Sequence, residues 1–347
     1  MIKKIAVIPV APGISGISGI SGMLIMPVIV ALAGFLFFTA CASEQKTPWN
    51  GEITRYEYEE PFSGNQQPDD EQQNIHVVLI GLDGWGAYYL SKAEMPTVKR
   101  MMSEGSSTLK AQSVLPTNSW PNWSSMFLGA PPEIHGYTGG GDGGPFFEGP
   151  LRDEFGFFPT IFALVKNRRP EGGIAFFHEW DKIGFLCPPQ AAETIEHIAD
   201  LSANPQALER VVLYITGRKP VFTVIVFNEP DSVGHAKRHG SPEYYATLKE
   251  LDAHIARVEQ AVQAGGFYAD TVFILTADHG GWLWGHGFNT PKQRTIPLIL
   301  YGKNIRRGFV IPGRVNIYDI APTIAAIFGI DAPPVWTGRA LREVLAE

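Results

Sequence analysis

Cysteine and clustered positive charge are both scarce in this sequence. The 347 residues include two cysteines, Cys41 and Cys187, whose surroundings differ so much that a disulfide framework is not expected. Lysine and arginine number 28 against 35 acidic residues, the formal net charge is -7, and no long basic run occurs. Nothing therefore indicates a nucleic-acid polymer as partner. With 45% hydrophobic and 18% charged residues, the chain has the composition of a globular protein with one large core.

The N-terminal 40 residues have the order of an export signal. Two lysines near the start precede an uncharged apolar stretch over 23–40, which ends at Cys41. The sequence Phe-Thr-Ala-Cys at 38–41 resembles a bacterial lipobox, although Phe38 replaces the usual leucine. We therefore predict a lipoprotein-type signal peptide over 1–40 and a lipid on Cys41 that anchors the protein to a membrane.

An uncleaved anchor helix is the alternative for this segment, because about 18 apolar residues can just span a bilayer. Both interpretations place the remaining chain outside the cytoplasm, in the periplasm or at the outer membrane of a bacterial cell envelope. Residues 41–74 are polar, acidic and rich in turn-forming residues. Such a segment buries too little apolar surface to offset its ordering entropy, so we predict a flexible tether.

Short apolar runs alternate with helical patterns over residues 75–347. The runs at 76–82, 221–227 and 270–277 are typical of buried strands, and the spacing predicts a long helix over 242–264. Continuous apolar strands that alternate with helices favour a mostly parallel sheet covered on both faces. We predict an α/β fold for this single domain, a three-layer α/β/α sandwich with a mostly parallel central sheet.

Side chains of metal-binding types follow three of these strands. They are Asp83, Asp231, His235, Asp278, His279 and His286. In a parallel sheet, the ligand site lies beyond the carboxyl ends of the strands. Carboxylates and imidazoles without a thiolate suit two zinc-like ions. Each aspartate alone is equally explained as a turn or a helix cap, but the six together favour a metal site.

A nucleophile candidate, Ser119, stands where a helix is predicted to begin. The free N–H groups of a helix N-terminus favour an anionic phosphoryl group, and a neighbouring metal activates a hydroxyl. A plain helix-capping role is the structural alternative for Ser119, and Thr117 fits that capping role equally well.

Several motifs carry a family resemblance. The chain resembles the type I phosphodiesterase/nucleotide pyrophosphatase family, within the alkaline phosphatase superfamily, at GLDG (81–84), PTNSWPN (116–122), GAPPEIHG (129–136), NEPDSVGH (228–235), ADHGG (277–281) and GHG (285–287). The resemblance implies an alkaline phosphatase-like catalytic domain over 75–347. Ser119 and Trp123 are departures, because relatives mostly have threonine and commonly histidine at these positions.

The resemblance also implies roles for individual residues. Asp231, His235 and His286 would bind one zinc ion. Asp83, Asp278 and His279 would bind the other, with the Ser119 hydroxyl as a further ligand. Asn122 would donate to a phosphate oxygen. Ser119 would attack the phosphorus to form a phosphoserine. Water would then hydrolyse this intermediate.

The expected function is an exported, metal-dependent phosphoester hydrolase of phosphodiesterase/nucleotide pyrophosphatase type that acts on a small phosphoester. Alternatives are a phosphomonoesterase, whose extra cation has only Arg152 and Arg294 as candidates and no assigned position, and a phosphoethanolamine-type transferase. A sulfatase is disfavoured because the segment after Ser119 lacks the x-Pro-x-Arg pattern. A non-catalytic binding lipoprotein on the same fold is the alternative of another class.

Overall fold

The computed structural model of the protein describes residues 74–138 and 151–346. The predicted signal peptide, Cys41 and the tether up to residue 73 lie outside the described residues. Within the described ranges, no helix has both the length and the apolar character needed to cross a membrane.

A single eight-stranded sheet forms the centre of the described domain. Its strands are β1 (His76–Asp83), β2 (Ser106–Gln112), β3 (Ile174–His178), β4 (Thr194–His197), β5 (Phe222–Pro230), β6 (Thr271–Thr276), β7 (Thr295–Gly302) and β8 (Phe309–Val310). They lie in the order β4-β3-β5-β1-β6-β7-β2-β8. β7 pairs antiparallel with both neighbours, and every other pairing is parallel. The predicted mostly parallel sheet is confirmed.

Helices connect the strands. They are α1 (Ala87–Leu90), α2 (Pro96–Glu104), α3 (Ser119–Leu128), α4 (Pro132–His135), α5 (Ile161–Arg168), α6 (Pro205–Arg218), α7 (Asp231–Lys237), α8 (Pro242–Gly265), α9 (Pro291–Arg294) and α10 (Ile320–Ile327). α2, α6 and α8 pack in one group, and α3, α5 and α10 in another. Because the central strands are buried on both faces, these groups form the two outer layers of the predicted α/β/α sandwich.

Local chemistry explains where α8 and α2 begin. Pro242 occupies the first position of α8, and the Ser241 hydroxyl accepts a hydrogen bond from the Tyr244 N–H, as an N-cap does. Pro96 likewise starts α2, whose free N–H groups at Thr97 and Val98 donate to Asp252 of α8 at 3.0 and 2.9 Å. The carboxylate therefore joins two helices of one layer.

Candidate active site

Three neighbouring strands carry the predicted ligands to one edge of the sheet. β5, β1 and β6 are parallel neighbours, so their carboxyl ends lie side by side. Asp83 ends β1, Asp231 directly follows β5, and Asp278 lies two residues beyond β6. The Gly84 N–H donates to the Asp278 carboxylate at 3.1 Å, which ties two of the strand ends together.

One group of ligand atoms surrounds Asp231. Its Oδ2 atom lies 3.1 Å from the His235 Nε2 atom, one helical turn along α7, and 3.6 Å from the His286 Nε2 atom. The two Nε2 atoms are 3.1 Å apart. The structure thus brings together the three residues expected to bind the first ion, and their ligand atoms lie within 4.8 Å of one another.

A second group surrounds His279. Its Nε2 atom lies 3.2 Å from the Asp278 Oδ2 atom and 3.6 Å from the Asp83 Oδ1 atom. The Ser119 Oγ atom is 3.2 Å from the same nitrogen and 3.4 Å from the Asp83 Oδ1 atom. Asp231 also comes within 4.8 Å of the ligand atoms of Asp83 and His279, so this carboxylate lies between the two groups.

The three predicted histidine ligands share one ring orientation. Their Nδ1 atoms face backbone carbonyl oxygens: that of His235 faces Trp284 at 2.8 Å, that of His279 faces Gly280 at 2.9 Å, and that of His286 faces Thr117 at 2.7 Å. Each ring can therefore donate from Nδ1, which turns its Nε2 atom towards the carboxylates of the site. This orientation is the one that protein metal ligands adopt.

Buried negative charge also fits a cation at this edge. Burial, together with neighbouring Asp278 and Asp231, raises the pKa of Asp83 well above its usual range, and burial raises that of Asp278 to about 8. The Asp278 Oδ2 atom is buried without a hydrogen-bond partner. Within the described residues, the ion pairs of these carboxylates are all with histidine. Divalent ions would balance this charge.

Histidine protonation agrees with metal binding at the second group. Burial lowers the pKa of His279 to about 3, so its imidazole is neutral, which is the form that binds a metal. At Asp231, burial by itself raises the pKa, but hydrogen bonds from the surrounding histidines hold it well below the usual value. The donor set of both groups therefore suits hard or borderline divalent ions such as zinc.

The loop before α3 places Ser119. Asn118, not Thr117, is the N-cap residue, and its side chain makes no capping hydrogen bond. Thr117 instead joins this loop to the segment after His286: its hydroxyl accepts from the Gly287 N–H at 2.7 Å and donates to the Phe288 carbonyl at 3.1 Å. The nucleophile loop and the loop carrying His286 are thus held as one unit.

Asn122 has a different role from the expected one. Its Oδ1 atom accepts from the Val114 N–H at 2.7 Å, and its Nδ2 atom donates to the carbonyls of Pro116 and Asn118 at 3.2 and 2.8 Å. The side chain is fully buried. Because both amide hydrogens are engaged and shielded, the expected donation to a phosphate oxygen is corrected: Asn122 shapes the loop that presents Ser119.

Trp123, the departure noted beside Asn122, supports a predicted ligand. Its indole Nε1 atom donates to the Asp83 Oδ2 atom at 3.2 Å, which leaves Oδ1 for Ser119 and His279. The buried ring lies against the backbone of β1, where a Cβ atom on Gly81 would come within 2.4 Å of it. The glycine of the GLDG motif therefore makes room for this tryptophan.

Sequence reasoning missed His239. Its Nε2 atom lies 3.2 Å from the Asp231 Oδ1 atom, whereas His235 and His286 face the Oδ2 atom. The one available signal was its place four residues after His235, in the same motif-bearing segment.

Exposed hydrophobic side chains lie in the segment that carries His286. Trp282, Leu283, Trp284 and Phe288 are 47%, 40%, 57% and 71% exposed, and all lie in the segment that follows His279. The Arg238 guanidinium lies 5.7 Å from the centre of the Trp284 ring. These side chains form an aromatic rim with a cationic edge.

The family comparison agrees with this geometry. The type I phosphodiesterase/nucleotide pyrophosphatase family matches residues 77–141 and 175–281, ranges that contain Ser119 and all the predicted ligands except His286. The chain belongs to this family. It is therefore a member of the alkaline phosphatase superfamily, and the resemblance seen in the motifs is confirmed.

Two proteins with related sequences have names that denote different activities. GPI ethanolamine phosphate transferase 1 of Neurospora crassa is 26% identical over 163 residues, which is 45% of this chain and 16% of the relative. Bis(5'-adenosyl)-triphosphatase ENPP4 of Bos taurus is 23% identical over 272 residues, which is 75% of this chain and 56% of the relative. The chain thus spans about half or less of the length of these curated relatives.

A solved structure shows the same fold. Murine ectonucleotide pyrophosphatase/phosphodiesterase 5, determined in complex with AMP, superposes with a TM-score of 0.64 at 13% identity. The match covers 78% of this chain and all of that chain. The alkaline phosphatase-like fold that was predicted for this chain is therefore confirmed.

Proposed function

We propose that the chain is a metal-dependent phosphoester hydrolase of the phosphodiesterase/nucleotide pyrophosphatase type, with Ser119 as nucleophile. The observation that carries the proposal is the place of the Ser119 hydroxyl, at the start of α3 and 3.4 and 3.2 Å from Asp83 and His279. A helix N-terminus adds positive potential at the position that an anionic phosphoryl group would take.

Two divalent ions, which we propose to be zinc, would complete the site. Asp231, His235 and His286 would hold the first ion. Asp83, Asp278 and His279 would hold the second, with the Ser119 Oγ atom as a further ligand. When bound, the ions would lower the pKa of the Ser119 hydroxyl and neutralise charge on the phosphoryl oxygens.

The chain's own residues then act as follows. The Ser119 oxygen attacks the phosphorus in line with the leaving oxygen, so that a new P–O bond forms as the bond to the leaving group breaks. The serine proton passes to the leaving oxygen, and with a diester the intermediate is a serine-linked phosphodiester that keeps the second ester group. Water attacks its phosphorus, releases the phosphomonoester product and restores the Ser119 hydroxyl. Asn122 and Trp123 hold Ser119 and Asp83 in place through the hydrogen bonds described above. Catalysis is then mostly positioning and charge neutralisation.

The aromatic rim favours, as substrate, a small diester or pyrophosphate that carries a planar group, such as the base of a nucleotide. Trp282 and Trp284 are both about half-exposed beside the ligands, and aromatic faces stack on bases. The relative from Bos taurus, named a bis(5'-adenosyl)-triphosphatase, and the AMP in the murine structure point in the same direction. A phosphomonoesterase is less well supported, because both candidate arginines have partners: Arg294 donates to Ser113 and Asn289, and Arg152 donates to the Gly156 carbonyl.

A transferase is the second candidate, favoured by the Neurospora crassa relative. It would use the same nucleophile and metals but pass the group from phosphoserine to an alcohol instead of water. The two activities differ in the product formed when an alcohol competes with water.

Turnover of bis-p-nitrophenyl phosphate, p-nitrophenyl phosphate and p-nitrophenyl sulfate tests the proposal. We expect the diester to be preferred, activity to disappear after chelation and to return with zinc, and the metal content to be near two ions per chain. Activity that survives complete metal removal would overturn it, and a protein that binds no metal would support the non-catalytic alternative. A product of transfer to added glycerol that exceeds the hydrolysis product would identify the transferase.

We further propose that Cys41 carries a lipid that anchors the protein in a bacterial cell envelope, outside the cytoplasm. The sequence at 38–41 supports this proposal. Loss of fatty-acid labelling in a Cys41→Ser variant is the expected result, and labelling that persists in this variant would contradict it.

A further inference from the structure

His239 lies where two ligand-bearing segments meet. Its backbone N–H donates to the Leu283 carbonyl at 2.7 Å, and its Nδ1 atom is 3.1 Å from the same oxygen. His239 directly follows the end of α7, which carries Asp231 and His235. Leu283 lies between His279 and His286 along the chain, so this pairing joins both ligand groups.

The His239 imidazole also contacts one of the two oxygens of the Asp231 carboxylate. Its Nε2 atom lies 3.2 Å from Oδ1. The other oxygen, Oδ2, faces His235 at 3.1 Å and His286 at 3.6 Å. One oxygen of the carboxylate therefore contacts the His239 imidazole, while the other oxygen faces the two predicted ligands.

The chain leaves space for this ring at two glycines. A Cβ atom on Gly234 would come within 2.4 Å of the Nε2 atom, and one on Gly281 within 2.0 Å. The His239 side chain is completely buried, so it cannot contact a substrate. It also lies outside the ligand group of Asp231, His235 and His286. These observations indicate a supporting contact, not a further ligand.

We propose that His239 is a positioning residue that orients Asp231 for the first metal ion and fixes the segment around Leu283 against α7. This inference rests on the proposed function, since it assumes an ion at that group. Hydrogen-bond partners behind metal ligands typically contribute about 10- to 100-fold in metal affinity. We expect a loss of that size at one of the two ions, while the other binds as before.

Two substitutions separate the contact with Asp231 from the contact with Leu283. In His239→Gln, the amide reaches as far as the Nε2 atom and can still donate to Asp231. In His239→Asn, the shorter amide reaches only the position of the Nδ1 atom and can still contact the Leu283 carbonyl. We expect His239→Asn to lose about 10- to 100-fold in zinc affinity, and His239→Gln to retain most of it.

Zinc competition with a chelator, together with zinc content, measures the effect without relying on activity. His76→Leu is a matched control, because His76 also binds a backbone carbonyl, that of Pro220 at 2.8 Å, but lies at the opposite end of β1. Thermal unfolding of the metal-free variants checks that they fold. Wild-type affinity in His239→Asn, or equal losses in His239→Asn and His239→Gln, would overturn the inference. A wild-type protein that binds no zinc would instead remove the proposed function.

Discussion

Helix α3 carries two serine–histidine contacts that look alike and differ in what they can do. Near its start, the Ser119 Oγ atom lies 3.2 Å from the His279 Nε2 atom. Further along, the Ser125 Oγ atom lies 3.0 Å from the His135 Nε2 atom. Residue types and distances are nearly the same, so distance alone does not identify a nucleophile.

The other nitrogen of each ring explains the difference. The Nδ1 atom of His279 faces the Gly280 carbonyl and donates to it, so the Nε2 atom offers a lone pair to a metal or to Ser119. The Nδ1 atom of His135 accepts from the Tyr137 N–H at 2.9 Å, so the Nε2 atom carries the hydrogen and donates to Ser125. One ring is available as a ligand, and the other is fully used in packing.

The surroundings of the two contacts differ in charge. Ser119 is partly exposed and lies beside Asp83. Ser125 and His135 are fully buried, and the His135 ring packs against the rings of Tyr137 and Phe158. Of the two serine–histidine pairs, the Ser119 pair thus has neighbouring carboxylates and access to solvent, and the Ser125 pair has neither.

Alanine at each serine gives the largest expected contrast. Ser119→Ala should lower diester turnover by on the order of 10⁴-fold, because the attacking oxygen is lost. Ser125→Ala should leave turnover nearly unchanged and lower the free energy of unfolding by about 1 to 3 kcal/mol, since His135 loses its acceptor. Steady-state kinetics and denaturant unfolding of both variants measure this. Similar turnover losses in the two variants would show that the contacts are not distinct.

A tryptophan between the two serines permits a sharper test. Trp123→Phe removes the indole donor to the Asp83 carboxylate, so we expect zinc affinity to fall by about tenfold. Trp336→Phe is the matched control: its buried indole donates to the Pro159 carbonyl at 2.9 Å, away from the ligands. Competition with a chelator compares the two variants. A zinc affinity in Trp123→Phe equal to that of Trp336→Phe would mean that the indole does not support the ligand.

The ligand positions could be predicted because parallel strands impose them. Asp83, Asp231 and Asp278 follow apolar runs, and the carboxyl ends of such runs meet at one edge whichever strand order is adopted. Strand direction was less accessible: the run at 295–302 is apolar like the others, yet β7 is antiparallel to its neighbours. β2, which lies between β7 and the edge strand β8, has the largely polar sequence SSTLKAQ, so no apolar run marks it.

Side-chain direction was the part that the sequence could not supply. Asn122 stands in a motif that resembles the family, but which groups its amide meets depends on how the loop over 114–118 folds back on α3. His239 contacts Asp231 because the segment at Leu283 returns to pair with it, a contact between residues far apart in the chain. Neither hydrophobic period nor residue spacing encodes such contacts.

Acid sensitivity provides the subtlest test of the packing role of His135. Burial lowers the pKa of His135 from 6.5 to about 3. The unfolded chain therefore takes up a proton below about pH 6.5 that the folded chain does not, so stability falls by about 1.4 kcal/mol per pH unit from this group until the pH nears 3. His135→Asn keeps an acceptor near the Tyr137 N–H but cannot titrate. We expect it to be less stable at neutral pH and to lose less stability on acidification, as measured by urea unfolding across this range. Parallel pH profiles for the variant and the wild type would refute the assignment of a neutral, structural histidine at this end of α3.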